Sequence, residues 1–306
     1  MPPPLPGAQS ETDPLGVVLV KHARDAWPDD ATVDCEWRAL GYSARPDVAR
    51  AHAESDAFIA LLRTLGADVR VVGNDPSGGD SAFPIPHSAL SLDSLYVRDA
   101  AVTCERGVIL CNMGKPARHA EPAALERALA AEPIPIHGHI TGAGRLEGGD
   151  AVWLGPRVLA VGRGYRTNDD GIAQLARSVA GLVDELIAVP LPHWRGPDDV
   201  FHLMSIVSPL DHDLALVYEP LLPVPFRERL LALGLALVGV PDVEFPTLGG
   251  NVLAVGPRRA VMVAGNPETR RRLERAACEV HEFDGGEICL KGGGGPTCLT
   301  RPLTRG

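Results

Sequence analysis

Two separated stretches of the chain follow one pattern. Residues 148 to 162, GGDAVWLGPRVLAVG, and 249 to 265, GGNVLAVGPRRAVMVAG, each run Gly-Gly, a polar residue, a short apolar run, a Gly-Pro-Arg turn and a second apolar run. Short β-branched runs punctuated by turn residues read as β-hairpins. A helix signal follows each: TNDDGIAQLARSVAGLV offers Thr, Asn and Asp as caps, and NPETRRRLERAAC opens as a capped helix with proline in its first turn. The pattern recurs in RDAAVTCERGVILC (98 to 111), turning at Glu105-Arg106-Gly107 before the helical EPAALERALAAE. It recurs again in FHLMSIVSPLDHDLALVY (201 to 218), turning between Pro209 and His212 before PFRERLLALG.

A fifth copy starts at Cys298 with CLTRPL and is cut short by the end of the chain. The N-terminal side holds what it lacks: GVVLVKH (16 to 22) reads as a strand and VARAHAESDAFIALLRTLGA (48 to 67) as a long amphipathic helix. One more apolar run closes each copy (VRVV, IPIHG, LIAVPL, LALVGV, EVHEF), so the unit is strand, strand, helix, strand. Self-similarity at a fixed period signals a stacked or closed array. The expected fold is α/β: a five-bladed, pseudo-symmetric α/β propeller of ββαβ modules, sealed where the two ends of the chain meet in one module. The competing reading is an ordinary mixed α/β domain in which hairpins recur by chance, since short apolar runs between Gly and Pro are common.

The residues in register weigh against chance. The polar residue opening each first strand is Asp99, Asp150, His202, Asn251 and Cys298, at spacings of 51, 52, 49 and 47 residues. Equivalent positions of a ring face its axis, so these five are expected around one central pocket. A cysteine supplies a nucleophile once deprotonated, and a histidine titrating near neutrality can protonate a leaving group and later deprotonate water. Carboxylates beside a thiol raise its pKa, so they suit a cationic substrate. A guanidinium or amidinium fits: planar, positive, matched to carboxylates by paired hydrogen bonds and open to attack at its central carbon.

Plainer readings exist for each residue. Cys298 could be a small buried hydrophobe, His202 a satisfied core histidine, Glu147 and Asp150 in RLEGGD turn residues, and Asp99 one half of an ion pair with Arg98. A papain-like set using Asn251 would need its cysteine at the head of a helix, whereas CLTRPL reads as a strand. Zinc would need short ligand spacing among Asp99, Asp150, His202 and Cys298, which is absent. G-x-G-x-x-G does not occur after a strand in the context a dinucleotide site requires. The nine other histidines fit no constellation.

Composition narrows the remaining choices. A net charge of −10 lacks the basic footprint of a nucleic-acid binder. No run of about 18 apolar residues is present to span a membrane. Six scattered cysteines, with neither C-x-x-C nor a signal peptide, read as reduced thiols of a cytoplasmic protein. The proline-rich opening MPPPLPGAQSETDP is expected to be a disordered tail over residues 1–14, leaving 15–306 as one catalytic domain.

In this order the motifs resemble those of the guanidino-modifying superfamily of arginine deiminases, amidinotransferases and dimethylarginine dimethylaminohydrolases. DSLYVRDAAV resembles its first acidic strand, LEGGDAV its Glu-Gly-Gly-Asp motif, GYRTNDDG its substrate-arginine turn, FHLMS its histidine strand and GGPTCLT its nucleophile loop. The likeness runs from about residue 90 to the C-terminus. It implies the five-bladed propeller (pentein fold) with a central site and no metal or organic cofactor. It also implies roles: Cys298 attacks the guanidino carbon to form a thiouronium, His202 protonates the departing amine and then activates water, and Glu147 orients and charge-balances His202. Asp99, helped by Asp93, would hold the guanidinium nitrogens, and Arg118 and Arg166 would bind an α-carboxylate, a bidentate task suited to arginine.

The chain departs from the deiminase pattern at Met204, where His-x-Asp is usual, and an apolar residue there suits a methylated nitrogen. Arg98-Asp99 points the other way, toward deiminases and amidinotransferases. The expected activity is cleavage of a methylated arginine to citrulline and an amine. The alternatives are an arginine deiminase or dihydrolase, an amidinotransferase, or a non-catalytic guanidino-binding protein. The expected partner is a small guanidino compound, with a homodimer allowed and neither nucleic acid nor membrane involved. The glycine run in KGGGGPTCLTRPL is expected to let the backbone approach the substrate and to move as a gate.

Overall fold

The computed structural model describes residues 7–73, 90–130, 132–197 and 201–306. Among the described residues fifteen strands fall into five three-stranded sheets. The first module uses both ends of the chain: β1 (Val17–Lys21), α1 (Ala23–Ala26), α2 (Asp30–Glu36), α3 (Val48–Thr64) and β2 (Asp68–Val72) come from the N-terminal side, and its remaining strand is the last one in the chain. The second comprises β3 (Ala101–Cys104), β4 (Gly107–Leu110), α4 (Glu121–Leu129) and β5 (Ile136–His139); the third, β6 (Ala151–Gly155), β7 (Val158–Arg163), α5 (Asp169–Ser178) and β8 (Glu185–Pro190). The fourth has β9 (Val207–Asp211), β10 (Leu214–Val217), α6 (Val224–Ala232) and β11 (Ala236–Gly239); the fifth, β12 (Leu253–Gly256), β13 (Arg259–Val263), α7 (Pro267–Arg275) and β14 (Glu279–Phe283). β15 (Thr300–Pro302) then pairs antiparallel with β1, placing Leu19 opposite Arg301.

In every sheet the first strand is antiparallel to the middle one, and the third is parallel to it after a helical crossover. A two-residue turn suffices for an antiparallel pair, whereas a parallel return needs a crossover of a dozen residues or more, which is why each repeat carries one hairpin and one helix. The middle strands have both faces covered: β4 and β10 are buried at every position, as expected of strands with a parallel neighbour. Among the described residues no helix is long and apolar enough to cross a membrane, and all six cysteines are free thiols.

Two helix starts differ in how they are held. Asn168 caps α5 as its sequence suggests, its side chain accepting from the amide of Gly171. Asn266 makes no such bond. It donates instead to the carbonyls of Thr247 and Val263, and the carboxylate of Glu244 accepts the α7 amides of Glu268 and Thr269. A tertiary carboxylate at a helix N-terminus meets both the orphan amides and the dipole.

The five register residues sit in tight turns just ahead of the first strands, not within them: 3₁₀ turns cover Val97–Ala100, Gly148–Asp150 and Leu203–Ser205, and Cys298 lies in the turn before Thr300. A turn exposes amides that a strand would spend on its ladder, and these amides stitch neighbouring modules together. Asp99 accepts from Gly149 N at 3.0 Å, Asp150 from Leu203 N at 3.0 Å, Asn251 from Thr297 N at 3.1 Å, and the carbonyl of Cys298 from Arg98 N at 3.1 Å.

Within the expected tail of 1–14, residues 1–6 lie outside the described residues, and the stretch from Gly7 onward lies against the propeller. Gln9 donates to the carbonyls of Pro156 and Leu182, and Glu11 pairs at 2.6 Å with Arg98. Arg98 is 1% exposed, and a cation so deeply buried requires a counter-charge.

Candidate active site

At the axis, His202 hydrogen-bonds through Nε2 to Oε2 of Glu147 at 2.8 Å, while Nδ1 stands 3.8 Å from Oδ1 of Asp99. Glu147 is fully buried. Its Oε1 accepts the amides of Gly114 (2.9 Å) and Lys115 (3.1 Å), and Nη1 of Arg166 lies 3.6 Å from Oε2. Burial works against its ionised form, but the bond to His202, that cation's field and the two arginines hold its carboxyl well below the usual carboxylate range. For His202 burial is again the largest effect and disfavours charge, yet Asp99, Asp150 and Glu147 together push it up to about 9. The pair therefore rests as imidazolium and carboxylate. Burial raises Asp150 to about 6.

Cys298 is half-buried, with Nδ2 of Asn251 3.4 Å and Oγ1 of Thr297 3.9 Å from Sγ. Asn251 is itself oriented by Thr297, whose hydroxyl donates to its Oδ1 at 2.7 Å. Burial first, and then the charge of Asp99, push the thiol up. It is thus protonated at neutral pH.

In the glycine run expected to approach the substrate and to move, Gly292 and Gly293 border the site, and Gly292 and Gly294 are closely packed. A Cβ at Gly292 would lie 2.0 Å from Tyr96 Oη, and one at Gly294 2.4 Å from the Tyr96 ring. Tyr96 thus accounts for two of the four glycines; Gly293 holds a left-handed φ of 79° facing open space, and a Cβ at Gly295 would lie 2.4 Å from Oδ1 of Asn251. Upstream, the buried carboxylate of Glu54 on α3 accepts the amides of Glu287 and Ile288 and so anchors the π-helical turn that leads into the glycines.

Two cavities meet at His202, Cys298 and Gly292. One, of about 20 Å³, is polar and lined by Asp93, Asp99, Arg118 and Arg166 together with Tyr96 and Lys115. The other, of about 270 Å³, combines apolar and aromatic side chains, Met204 among them, with the polar Ser43, Ser205 and Asn251 and the cations Arg195 and Lys291. All seven residues expected from the sequence, Cys298, His202, Glu147, Asp93, Asp99, Arg118 and Arg166, thus converge on one centre. Their states differ. The Arg118 guanidinium is spent inside the protein: Nη1 on Asp99 (2.5 Å), Nη2 on the Tyr96 carbonyl (2.8 Å), and a fork of 2.9 and 2.7 Å on Glu121. Arg166 borders the polar pocket with Glu147 as its nearest ion-pair partner.

The sequence reading missed Lys115, whose Nζ donates to Asp93 at 2.5 Å, and Glu121, which neutralises Arg118. The three-residue spacing of Arg118 and Glu121 was a usable helical signal; nothing marked Lys115. Asp99, Glu147 and His202 bring metal-ligand atoms within 4.8 Å of one another, but Nε2 of His202 and Oε2 of Glu147 are already bonded to each other, the arrangement of a proton-holding pair.

Residues 90–230 match the arginine deiminase family model. An arginine deiminase of Rhodococcus erythropolis is 28% identical over 263 residues, covering 74% of this chain and 62% of its own length, so the chain spans under two-thirds of that relative. A dimethylarginine dimethylaminohydrolase of Streptomyces coelicolor is 30% identical over 213 residues, covering 68% of this chain and 73% of its own. The chain belongs to the guanidino-modifying superfamily.

The propeller is the fold of that superfamily. A dimethylarginine dimethylaminohydrolase of Pseudomonas aeruginosa, solved with citrulline, superposes with a TM-score of 0.73 at 22% identity, covering 94% of this chain and 98% of that one. An amidinotransferase of Microseira wollei gives 0.74 at 18%, covering 98% and 97%.

Proposed function

We propose that the protein is a cysteine-dependent hydrolase that cleaves the guanidino C–N bond of an N-methylated arginine, yielding citrulline and an amine. The observation that carries this reading is the half-buried Cys298 sharing a pocket with a His202–Glu147 pair, beside carboxylates on one side and apolar Met204 on the other.

Asp99 and Asp93 receive the guanidinium, since each carboxylate oxygen can accept more than one hydrogen bond. Arg166 takes the α-carboxylate. Arg118 acts one step back: its fork on Asp99 and Glu121 fixes the carboxylate that grips the substrate. The bound cation offsets the negative field that holds the thiol protonated, and Cys298 releases its proton to solvent. The sulfur–carbon bond then forms; His202, already an imidazolium, gives its proton to the departing nitrogen as the C–N bond breaks, leaving a cationic thiouronium. Neutral His202 next takes a proton from water as the hydroxide adds to the carbon. The C–S bond breaks, the oxygen-bound proton passes to solvent as the ureido carbonyl forms, and thiolate and imidazolium are restored.

Pure protein is incubated with asymmetric dimethylarginine, arginine and agmatine, and ureido product and released amine are quantified. Dimethylarginine should give citrulline and dimethylamine in equal amounts, and Cys298→Ser none. Preferential release of ammonia from arginine would move the assignment to a deiminase, and inertness toward all three would refute a hydrolase.

A further inference from the structure

The larger cavity is poorly matched to a methyl group. Its volume of about 270 Å³ is roughly nine times a water molecule's share of the liquid, and a dimethylamino group of three heavy atoms fills about a third of it. Its walls include Trp194, Phe201, Met204, Phe245, Leu248 and Leu290, with Arg195 stacked over the Trp194 ring at 4.2 Å, Lys291 also on the lining, and His202 and Cys298 at the reacting end. None of Asp93, Asp99, Arg118 or Arg166 borders it; they line the small polar pocket beyond the sulfur. On the hydrolase reading, a guanidinium gripped by the acids would direct its departing nitrogen past His202 and Cys298, which border both cavities, toward this chamber.

The aromatic walls support one another. Trp194 meets Phe201 at 5.8 Å and 54° and Phe245 at 5.6 Å and 64°, while Tyr218 backs Phe245 in a stack at 3.7 Å and 8°. Two wall residues also hold left-handed backbone, Trp194 at φ 41° and Leu248 at φ 64°. Two other non-glycine residues described share that region: Arg258, in the turn between β12 and β13, and Ala277, just past the end of α7. Those are places where left-handed residues commonly occur. Bulky side chains pay a steric cost in this conformation, and such outliers concentrate at ligand sites. Trp194 is also 38% exposed, so burial of its own ring does not account for its placement.

We propose that this chamber is the leaving-group pocket and accepts a guanidino substituent larger than methyl, so that the preferred substrate class is an arginine whose terminal nitrogen carries an extended apolar or aromatic group. The inference rests on the hydrolase reading above and on the same bond changes: sulfur–carbon formation, C–N cleavage with the His202 proton passing to the departing amine, and water completing the ureido product. Only the amine released is different.

The test is a series of Nω-substituted L-arginines (methyl, dimethyl, propyl, benzyl), with citrulline and the matching amine measured for wild type and Trp194→Ala. Expected are a kcat/KM for the benzyl compound at least equal to that for the dimethyl one, and a loss of about tenfold on benzyl in Trp194→Ala with less than a twofold change on dimethyl. Dimethylarginine turnover with benzyl at least tenfold poorer overturns the inference and leaves the hydrolase standing. Equal losses on both substrates in Trp194→Ala also overturn it, because the chamber would then hold the part common to both, the amino-acid end. Inertness toward the whole series removes the hydrolase reading itself. Circular dichroism of Trp194→Ala separates a binding defect from a folding one, and Phe245→Leu, which keeps an apolar wall without the ring, repeats the comparison if Trp194→Ala is unfolded.

Discussion

The His202–Glu147 pair gives the most exacting prediction. In an unfolded chain His202 titrates near 6.5; in the propeller it is held at about 9 by Asp99, Asp150 and Glu147 against the cost of burial. Because the folded value is the higher one, the stability gained is fully present below pH 6.5 and is lost as pH rises through 9. At about 1.4 kcal/mol per pKa unit the gap is worth about 3 kcal/mol. Glu147→Gln keeps the shape but removes the nearest of the three charges, and one opposite charge at this range is worth about 1–3 pKa units. The substitution should lower the His202 value by that amount, readable in an NMR titration of its ring protons. The denaturant stability difference between wild type and Glu147→Gln should shrink by about 2 kcal/mol between pH 6.5 and 9.5. Reading the difference between the two proteins removes Lys21, which burial lowers to about 8 and which acts in the opposite sense. A His202 titration unmoved by Glu147→Gln, or a stability difference independent of pH, would refute the charge-balancing role and leave Glu147 as a spacer.

Three further outcomes follow from the geometry. Arg118→Lys should cost about 3–5 kcal/mol of stability by chemical denaturation, because a lysine cannot fork onto Glu121 while holding Asp99 and Tyr96, and the acids remain buried and under-paired; a loss under 1 kcal/mol would mean that Asp99 does not depend on it. Gly294→Ala should destabilise by about 1–3 kcal/mol and lower kcat, since its Cβ lands 2.4 Å from the Tyr96 ring and pushes the loop that carries Cys298; wild-type stability and rate would support the mobile-gate reading. Glu11→Gln strips Arg98 of the carboxylate paired with it and should lower stability by about 3–5 kcal/mol with kcat/KM little changed, whereas an unchanged melting temperature would place the N-terminal segment outside the folded unit.

Much of the fold was legible because a repeat multiplies weak local signals. One hairpin such as GGDAVWLGPRVLAVG is compatible with many architectures, but five strand–strand–helix–strand units at near-constant spacing, one of them split between the chain ends, leave little besides a ring. β15 pairing with β1 is that split unit. The placement of Asp99, Asp150, His202, Asn251 and Cys298 followed from the same symmetry, without any knowledge of side-chain contacts. Their exact backbone setting did not: the residues occupy turns ahead of the strands, since alternation of apolar residues marks where a strand lies but not the residue at which its ladder begins.

By itself the sequence determined the module and the order of the motifs, and repeat register brought Asp99, His202 and Cys298 to the axis; Glu147, Asp93, Arg118 and Arg166 were expected there only from the likeness of their motifs to the superfamily's. Tertiary structure alone decided the state of each group. That Arg118 is consumed by Asp99 and Glu121 while Arg166 borders the polar pocket, that Lys115 reaches Asp93, and that the glycines pass a tyrosine ring are relations among residues on different modules. Charge, hydrogen bonding and steric approach act over a few ångströms in space, and that distance is not encoded in separation along the chain.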